Sequence, residues 1–233
     1  MSILVKYPRT YHLPWSEGMT SDDKLIPSSK LNNFVGKEVV VTEKMDGECT
    51  TLYHDYMHAR SLDSRHNFSR DWVKKMHSVI RFDLPEGWRF VGENLWAEHS
   101  IRYEDGVLDG YFYLFAIFDE NGTIIDFDEM MEFAEILDLP VPKVLYRGIY
   151  DEKAIKEIAD KMDKTKHEGY VMRLKDAIPQ SDEGEFMDGV AKFVRFGHVD
   201  DNAEHWLSNI KQNGKLSYNI KPNFMWKYES IAL

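Results

Sequence analysis

The chain has 233 residues, of which 43% are hydrophobic and 30% charged, with a formal net charge of −11. That length allows one large domain or one domain with a small appendage, and the composition is that of a soluble globular protein. The acidic balance excludes indiscriminate binding to phosphate polymers, which needs clustered cations.

No apolar run is long enough to span a bilayer, and the first six residues are too short for a signal peptide. The lone Cys49 excludes an internal disulfide and a cysteine-based zinc site, so a reducing, cytoplasmic compartment is expected. Two basic stretches stand out against the acidic background. One holds Arg60, Arg65, Arg70, Lys74, Lys75 and Arg81; the other, near the C-terminus, holds Lys211, Lys215, Lys221 and Lys227.

Residues up to about Lys37 are rich in turn formers and aromatics and are expected to wrap a core rather than form one. The β-branched run 39–41 reads as a buried strand, which puts Lys44 where a strand ends in a turn. Residues 50–53 and 56–60 read as a hairpin around His54-Asp55. Ser69 is placed to cap a helix with Trp72, Met76, Val79 and Ile80 on one face. Strands are expected over 88–95 and 111–118, and Asn121-Gly122 is a tight hairpin turn. Amphipathic helices follow over 128–137 and 151–162, then strands over 170–174 and 190–196 separated by a polar loop, 175–189. Antiparallel-type strands broken by a few helices define an α+β class.

Lys44 lies in Glu43-Lys44-Met45-Asp46-Gly47-Glu48. A lysine there can act as a nucleophile if nearby cations or a desolvated pocket keep part of it deprotonated. On its own, the tetrapeptide is equally a solvated turn. Charged residues recur, however, beside apolar strands: Arg60, Glu93, Glu168, Lys192 and Arg195. Such placements cost free energy unless the charges pair or bind something. One amine, two carboxylates and several cations suit an anionic phosphate substrate with a divalent metal.

This ordered set resembles the covalent nucleotidyltransferase superfamily of polynucleotide ligases and messenger-RNA capping enzymes. More narrowly, it is similar to ATP-dependent RNA ligases of the phage RNA ligase 2 type. Residues 44–47 match motif I, the segment around Arg60 motif Ia, 90–93 motif III, 113–118 motif IIIa, 168–171 motif IV and 191–195 motif V. Segments 9–14 and 198–206 resemble flanks of bacterial and phage members.

The resemblance implies an ATP-grasp-like nucleotidyltransferase core of antiparallel sheets with flanking helices over 1–206, a short tail over 207–233, and no OB-fold domain. It implies that Lys44 attacks the α-phosphate of ATP, that Glu93 and Glu168 hold ribose and metal (Mg²⁺, with Mn²⁺ possible), and that Lys192 contacts the α-phosphate. Phe115 would stack on adenine and the Glu43 backbone would read its amino group, with Asp46, Gly47, Arg60 and Arg195 completing the nucleotide site. Arg60, Arg65, Arg70, Lys74 and Lys75 would bind RNA with 5′-phosphate and 3′-hydroxyl ends. The protein would be a monomer with no obligate protein partner, in a bacterial or phage-infected cytoplasm.

Motif V departs from the family. Its usual two lysines are reduced to Lys192, with Val190 and Val194 at the flanking positions and Arg195 as the candidate second cation. A small DNA ligase, a guanylyltransferase and a non-catalytic nucleotide- or RNA-binding relative are the alternatives.

Overall fold

The computed structural model describes residues 3–63, 65–179, 186–197 and 210–217. It contains two sheets. The first runs in the order β1 (Arg9–His12), β9 (Phe186–Val194), β8 (Gly169–Leu174), β2 (Glu38–Lys44) and β7 (Val144–Ile149); the second runs β4 (Met57–Ala59), β3 (Glu48–Leu52), β5 (Arg89–Asn94) and β6 (Phe112–Phe118). Every strand pairing is antiparallel except β1 with β9. This is the expected α+β architecture.

Strand alternation decides what faces the cleft between the sheets. Val39, Val41, Tyr170, Met172, Ala191 and Phe193 enter a core closed by Ile155 and Ala159 of α4 (Glu152–Lys161) and by Leu13, Ile26 and Phe34 of the N-terminal segment, which carries the single-turn helix α1 (Ser28–Leu31). Their neighbours Thr42, Lys44, Val171, Arg173, Val190 and Lys192 therefore point the other way and line the cleft. On the second sheet Leu52, Phe90, Leu114 and Ile117 pack on α2 (Asp71–Ile80) and α3 (Phe127–Leu137). Two aspartates cap α3 and α4: Asp126 accepts from the Asp128 N–H, and Asp151 from the N–H groups of Lys153 and Ala154. No helix among the described residues is long and apolar enough to cross a membrane.

Four elements differ from expectation. Asn67, not Ser69, makes the cap: it accepts from the Ser69 N–H and opens a 3-10 turn, Phe68–Arg70, that leads into α2. The buried face of α2 is Val73, Met76, His77 and Ile80, while Val79 is 41% exposed. The true seam contains a histidine, whose Nε2 meets the Tyr53 carbonyl at 2.6 Å, so an apolar pattern misses it. Strand β9 begins at Phe186, inside the expected loop, and ends at Val194. Finally β1 and the edge strand β7 were not anticipated.

Of the expected tail, 210–217 packs against the core. Asn213 is 3% exposed and donates to the carbonyls of Leu95 and Ala97, and Leu216 joins the cluster around Tyr103 and Tyr111. Lys221, Lys227 and the 198–206 flank lie outside the described residues.

Candidate active site

Lys44 ends β2 and pairs in register with Gly169, the residue after Glu168. Gly169 has to be glycine because a Cβ there would overlap the Phe193 carbonyl of β9. The close strand approach sets Glu168, 2% exposed, directly against the lysine: Lys44 Nζ lies 2.6 Å from Oε1 and 2.7 Å from Oε2. Burial alone would lower the lysine pKa, but Glu168, Glu93 and Asp46 outweigh it and hold Lys44 above the ordinary lysine range. Burial, reinforced by Glu168 and Asp46 against the pull of Lys44, pushes Glu93 up to about 8. The arrangement therefore favours the ammonium form of Lys44 and the protonated form of Glu93.

Asp46 does not reach into the cleft. Its carboxylate accepts from Ser100 Oγ at 2.9 Å and from the Ile101 N–H at 2.6 Å, and its own N–H donates to Tyr103. This ties the turn after Lys44 to the 100–103 loop. Gly47 serves a close approach too, since a Cβ would meet the Asn94 carbonyl at 2.5 Å.

The cleft brings together Glu43, Lys44, Arg60, Glu93, Phe115 and Lys192 from the sequence-derived set. Phe115 is the extra residue of a β-bulge opposite Val91 and Gly92, a device that re-aims a side chain. Tyr7 meets the Phe115 ring edge-on at 5.3 Å. Glu43 directs its carboxylate to His167 Nδ1 at 2.7 Å. Arg195 is not among the cleft-lining residues: its guanidinium turns to the Phe196 carbonyl at 3.2 Å while its N–H holds the Glu168 carbonyl.

The basic stretch divides. Arg70, 8% exposed, makes a two-pronged ion pair with Glu48 at 2.5 and 2.6 Å and donates to the Arg65 carbonyl, so its guanidinium is built into the scaffold. Arg65, His66, Lys74 and Arg81 border a groove beside Ala59, next to Arg60, and Arg70 lines it as well; Lys74 also pairs with Asp71 at 3.1 Å. Lys75 lies on α2 outside the lining of that groove.

Sequence reasoning assigned no role to Tyr7, Arg9, His12, Asp23 or Arg173. Asp23 bridges His12 Nε2 at 3.1 Å and Lys192 Nζ at 3.2 Å. Burial, aided by Lys44, lowers the Lys192 pKa against the pull of Asp23. The available signals were the strand parity of Arg173, which shares a face with Val171, and the resemblance of segment 9–14, which holds Arg9 and His12.

Among the described residues no group of three or more acidic, histidine or cysteine side chains could hold a metal alone. Mg²⁺ characteristically binds through one or two carboxylates, waters and substrate phosphates. Glu93 and Glu168 fit such an ion together with a nucleotide. Burial, with Glu168 and Asp46 nearby, favours the protonated form of Glu93, and a divalent cation would favour its carboxylate.

A family model described as RNA ligase matches residues 37–194. No curated protein matches the chain. Similar solved structures include a putative ATP-dependent DNA ligase from Aquifex aeolicus (18% identity, TM-score 0.54, 83% of this chain and 50% of that one). A Naegleria gruberi RNA ligase mutant with AMP and Mn shows 19% identity and a TM-score of 0.51 over 83% and 59% of the two chains. An archaeal ATP-dependent RNA ligase shows 13% identity and a TM-score of 0.52 over 82% and 48%. This chain thus spans about half to three-fifths of those structures, and at these identities they share its fold. The family model covers more than half of the chain, and the chain belongs to the RNA ligase family.

Proposed function

We propose that the protein is an ATP-dependent ligase that joins RNA 5′-phosphate and 3′-hydroxyl ends through a lysyl-AMP intermediate. The observation that carries this reading is the contact of Lys44 with Glu168, beside Glu93 and Lys192, at one cleft that also holds Phe115. Attack requires the neutral amine, and Glu168, in contact with Nζ, is the group placed to take the proton. Nζ then bonds to the α-phosphorus as the bond to pyrophosphate breaks, and pyrophosphate leaves with the electron pair. Lys192 and Arg60 face the charge gathering on the phosphoryl oxygens. A divalent ion held by Glu93 and Glu168, Mg²⁺ or Mn²⁺, would add charge neutralisation there.

Next, an oxygen of an RNA 5′-phosphate displaces Lys44 from the adenylate. A 3′-hydroxyl then attacks that 5′-phosphate, and AMP departs. Arg65 and Lys74 border the groove beside Arg60 of the cleft, which would take the RNA backbone. The single half-buried Cys49 supports a reducing, cytoplasmic setting, and the protein acts as a monomer.

Incubation with α-labelled ATP and Mg²⁺ should label the wild type, and Lys44→Ala should abolish labelling. Unlabelled wild-type protein would sink the covalent mechanism. The likeness to a putative DNA ligase favours a second reading, sealing of nicked DNA. Equal sealing of all-DNA and RNA 3′-hydroxyl strands would replace the RNA assignment.

A further inference from the structure

Among the described residues four aromatic side chains are exposed, Tyr56, Phe68, Phe82 and Phe196, and three of them lie within residues 56–82. The same segment carries the cations that border the groove next to Arg60. A single exposed apolar side chain is ordinary, but aromatics gathered among cations mark a binding surface. Tyr56, 49% exposed between β3 and β4, lines the groove with Arg65, Lys74 and Arg81. Phe82 is 72% exposed and is joined to the groove by Arg81, whose guanidinium carbon lies 4.8 Å from its ring centroid. His54 meets the same ring edge-on at 5.8 Å. The Phe82 ring is thus held in place while most of it faces solvent.

The cations of the groove are matched unevenly. Arg70 is tied to Glu48 and Lys74 to Asp71, whereas Arg65 and Arg81 make no ion pair among the described residues. Arg81 Nε is buried with no hydrogen-bond partner among them. Asp55 is the one carboxylate in the lining. Arg65, Arg70, Lys74 and Arg81 therefore outnumber Asp55, Glu48 and Asp71, in a chain whose net charge is −11. The groove also has length. From Tyr56 to Arg60, at the cleft, the extended chain of β4 covers about 13 Å. Stacked nucleotides at roughly 3.4 Å each would fill that span with about four.

We propose that this groove holds unpaired RNA nucleotides, with Arg65, Lys74 and Arg81 on the phosphates and Tyr56 and Phe82 stacked on bases. The substrate then presents a single-stranded end rather than a nick within a duplex. The assignment rests on the ligase reading and narrows its substrate class. Aromatic faces set among cations hold single strands without reading their sequence. A duplex leaves those faces without a partner, because its bases already stack on one another and an A-form helix offers phosphates and 2′-hydroxyls instead.

Fluorescence anisotropy reads the preference, using a labelled, unstructured single-stranded RNA with a 5′-phosphate and the same strand in a nicked RNA duplex. The wild type should bind the single strand about 5-fold or more tightly than the duplex. Tyr56→Leu and Phe82→Leu keep an apolar side chain but lose the π face, and both positions are exposed, so the fold is spared. Each should weaken single-strand binding about 5-fold or more without changing its salt dependence. Tyr56→Trp and Phe82→Trp should restore binding. Arg81→Ala should instead lower the slope of log affinity against log salt by roughly 0.7. Duplex binding equal to or tighter than single-strand binding overturns the assignment, and so do leucine variants that bind like the wild type. A wild type that α-labelled ATP fails to label overturns the ligase reading, a result obtained without RNA and so distinct from failure of the groove.

Discussion

Lys44 Nζ lies within 2.7 Å of both carboxylate oxygens of Glu168, a side chain that is 2% exposed. Removing one member of such a pair strands the other in the interior. Lys44→Ala should therefore abolish adenylation and also cost about 3 kcal/mol of stability. Lys44→Met combined with Glu168→Gln should recover most of that stability with no activity. Urea unfolding of the single and double variants measures the coupling. A double variant no more stable than Lys44→Ala would show that the pair is not what holds this end of the cleft.

Glu93 gives the ligand-free protein a pH signature. Burial and the neighbouring acids raise its carboxyl from the ordinary 4.5 to about 8. The folded chain thus keeps a proton that the unfolded chain releases above 4.5. The contribution is fully present below 4.5 and is lost as pH rises through about 8. Glu93→Gln, a neutral mimic, should match the wild type near pH 5 and exceed it in stability by pH 8.5. It should also lose adenylation, because the metal-binding charge is gone. Parallel stability curves for the two proteins between those pH values would remove Glu93 from this role.

The strands carrying Lys44, Glu93 and Phe115 were legible because their periodicity is local. The residues that finish the site were not. His12 meets Lys192 in register through the parallel pairing of β1 with β9, and Asp23 reaches Lys192 across 169 residues. The edge strand β7 has no fully buried position, so no alternating apolar face announced it. Charge runs were the least informative. Nothing in the run from Arg60 to Arg81 distinguishes Arg70, which is paired to Glu48, from Arg65, which is exposed.

That distinction yields a separation of effects. Arg70→Ala leaves Glu48 without its partner where both side chains are nearly buried, at 10% and 13% exposure. It should destabilise the fold by about 3 kcal/mol. Arg65→Ala should leave stability within about 0.5 kcal/mol of wild type and weaken RNA binding. If Arg65 contacts phosphate, the slope of log affinity against log salt should fall by roughly 0.7 for single-stranded RNA. Binding measured over a salt series separates the two roles, and an unchanged slope for Arg65→Ala would place the RNA elsewhere.

Gly169 links backbone geometry to catalysis. An added Cβ would strike the Phe193 carbonyl, which is backbone and cannot swing aside. Gly169→Ala should force β8 and β9 apart, costing about 1–3 kcal/mol. It should also draw Glu168 away from Lys44 and depress adenylation more than ATP affinity. Retention of wild-type adenylation would mean that the strand spacing does not set the catalytic contact.

Asp23 should govern the basic limb of ATP binding. Lys192 is drawn below the ordinary lysine range by burial and by Lys44, and Asp23 partly counters that shift at 3.2 Å. If Lys192 binds the phosphates of ATP as proposed, it must be charged, and ATP affinity should fall as pH rises through the Lys192 pKa. Asp23→Asn removes the countercharge, lowers that pKa further and should move the fall in affinity to lower pH. Asp23→Glu should sit between the two. Titrating ATP binding from pH 7 to 10.5 in the three proteins reads the shift directly. Superimposable profiles would show that Asp23 braces the N-terminal segment through His12 without tuning Lys192.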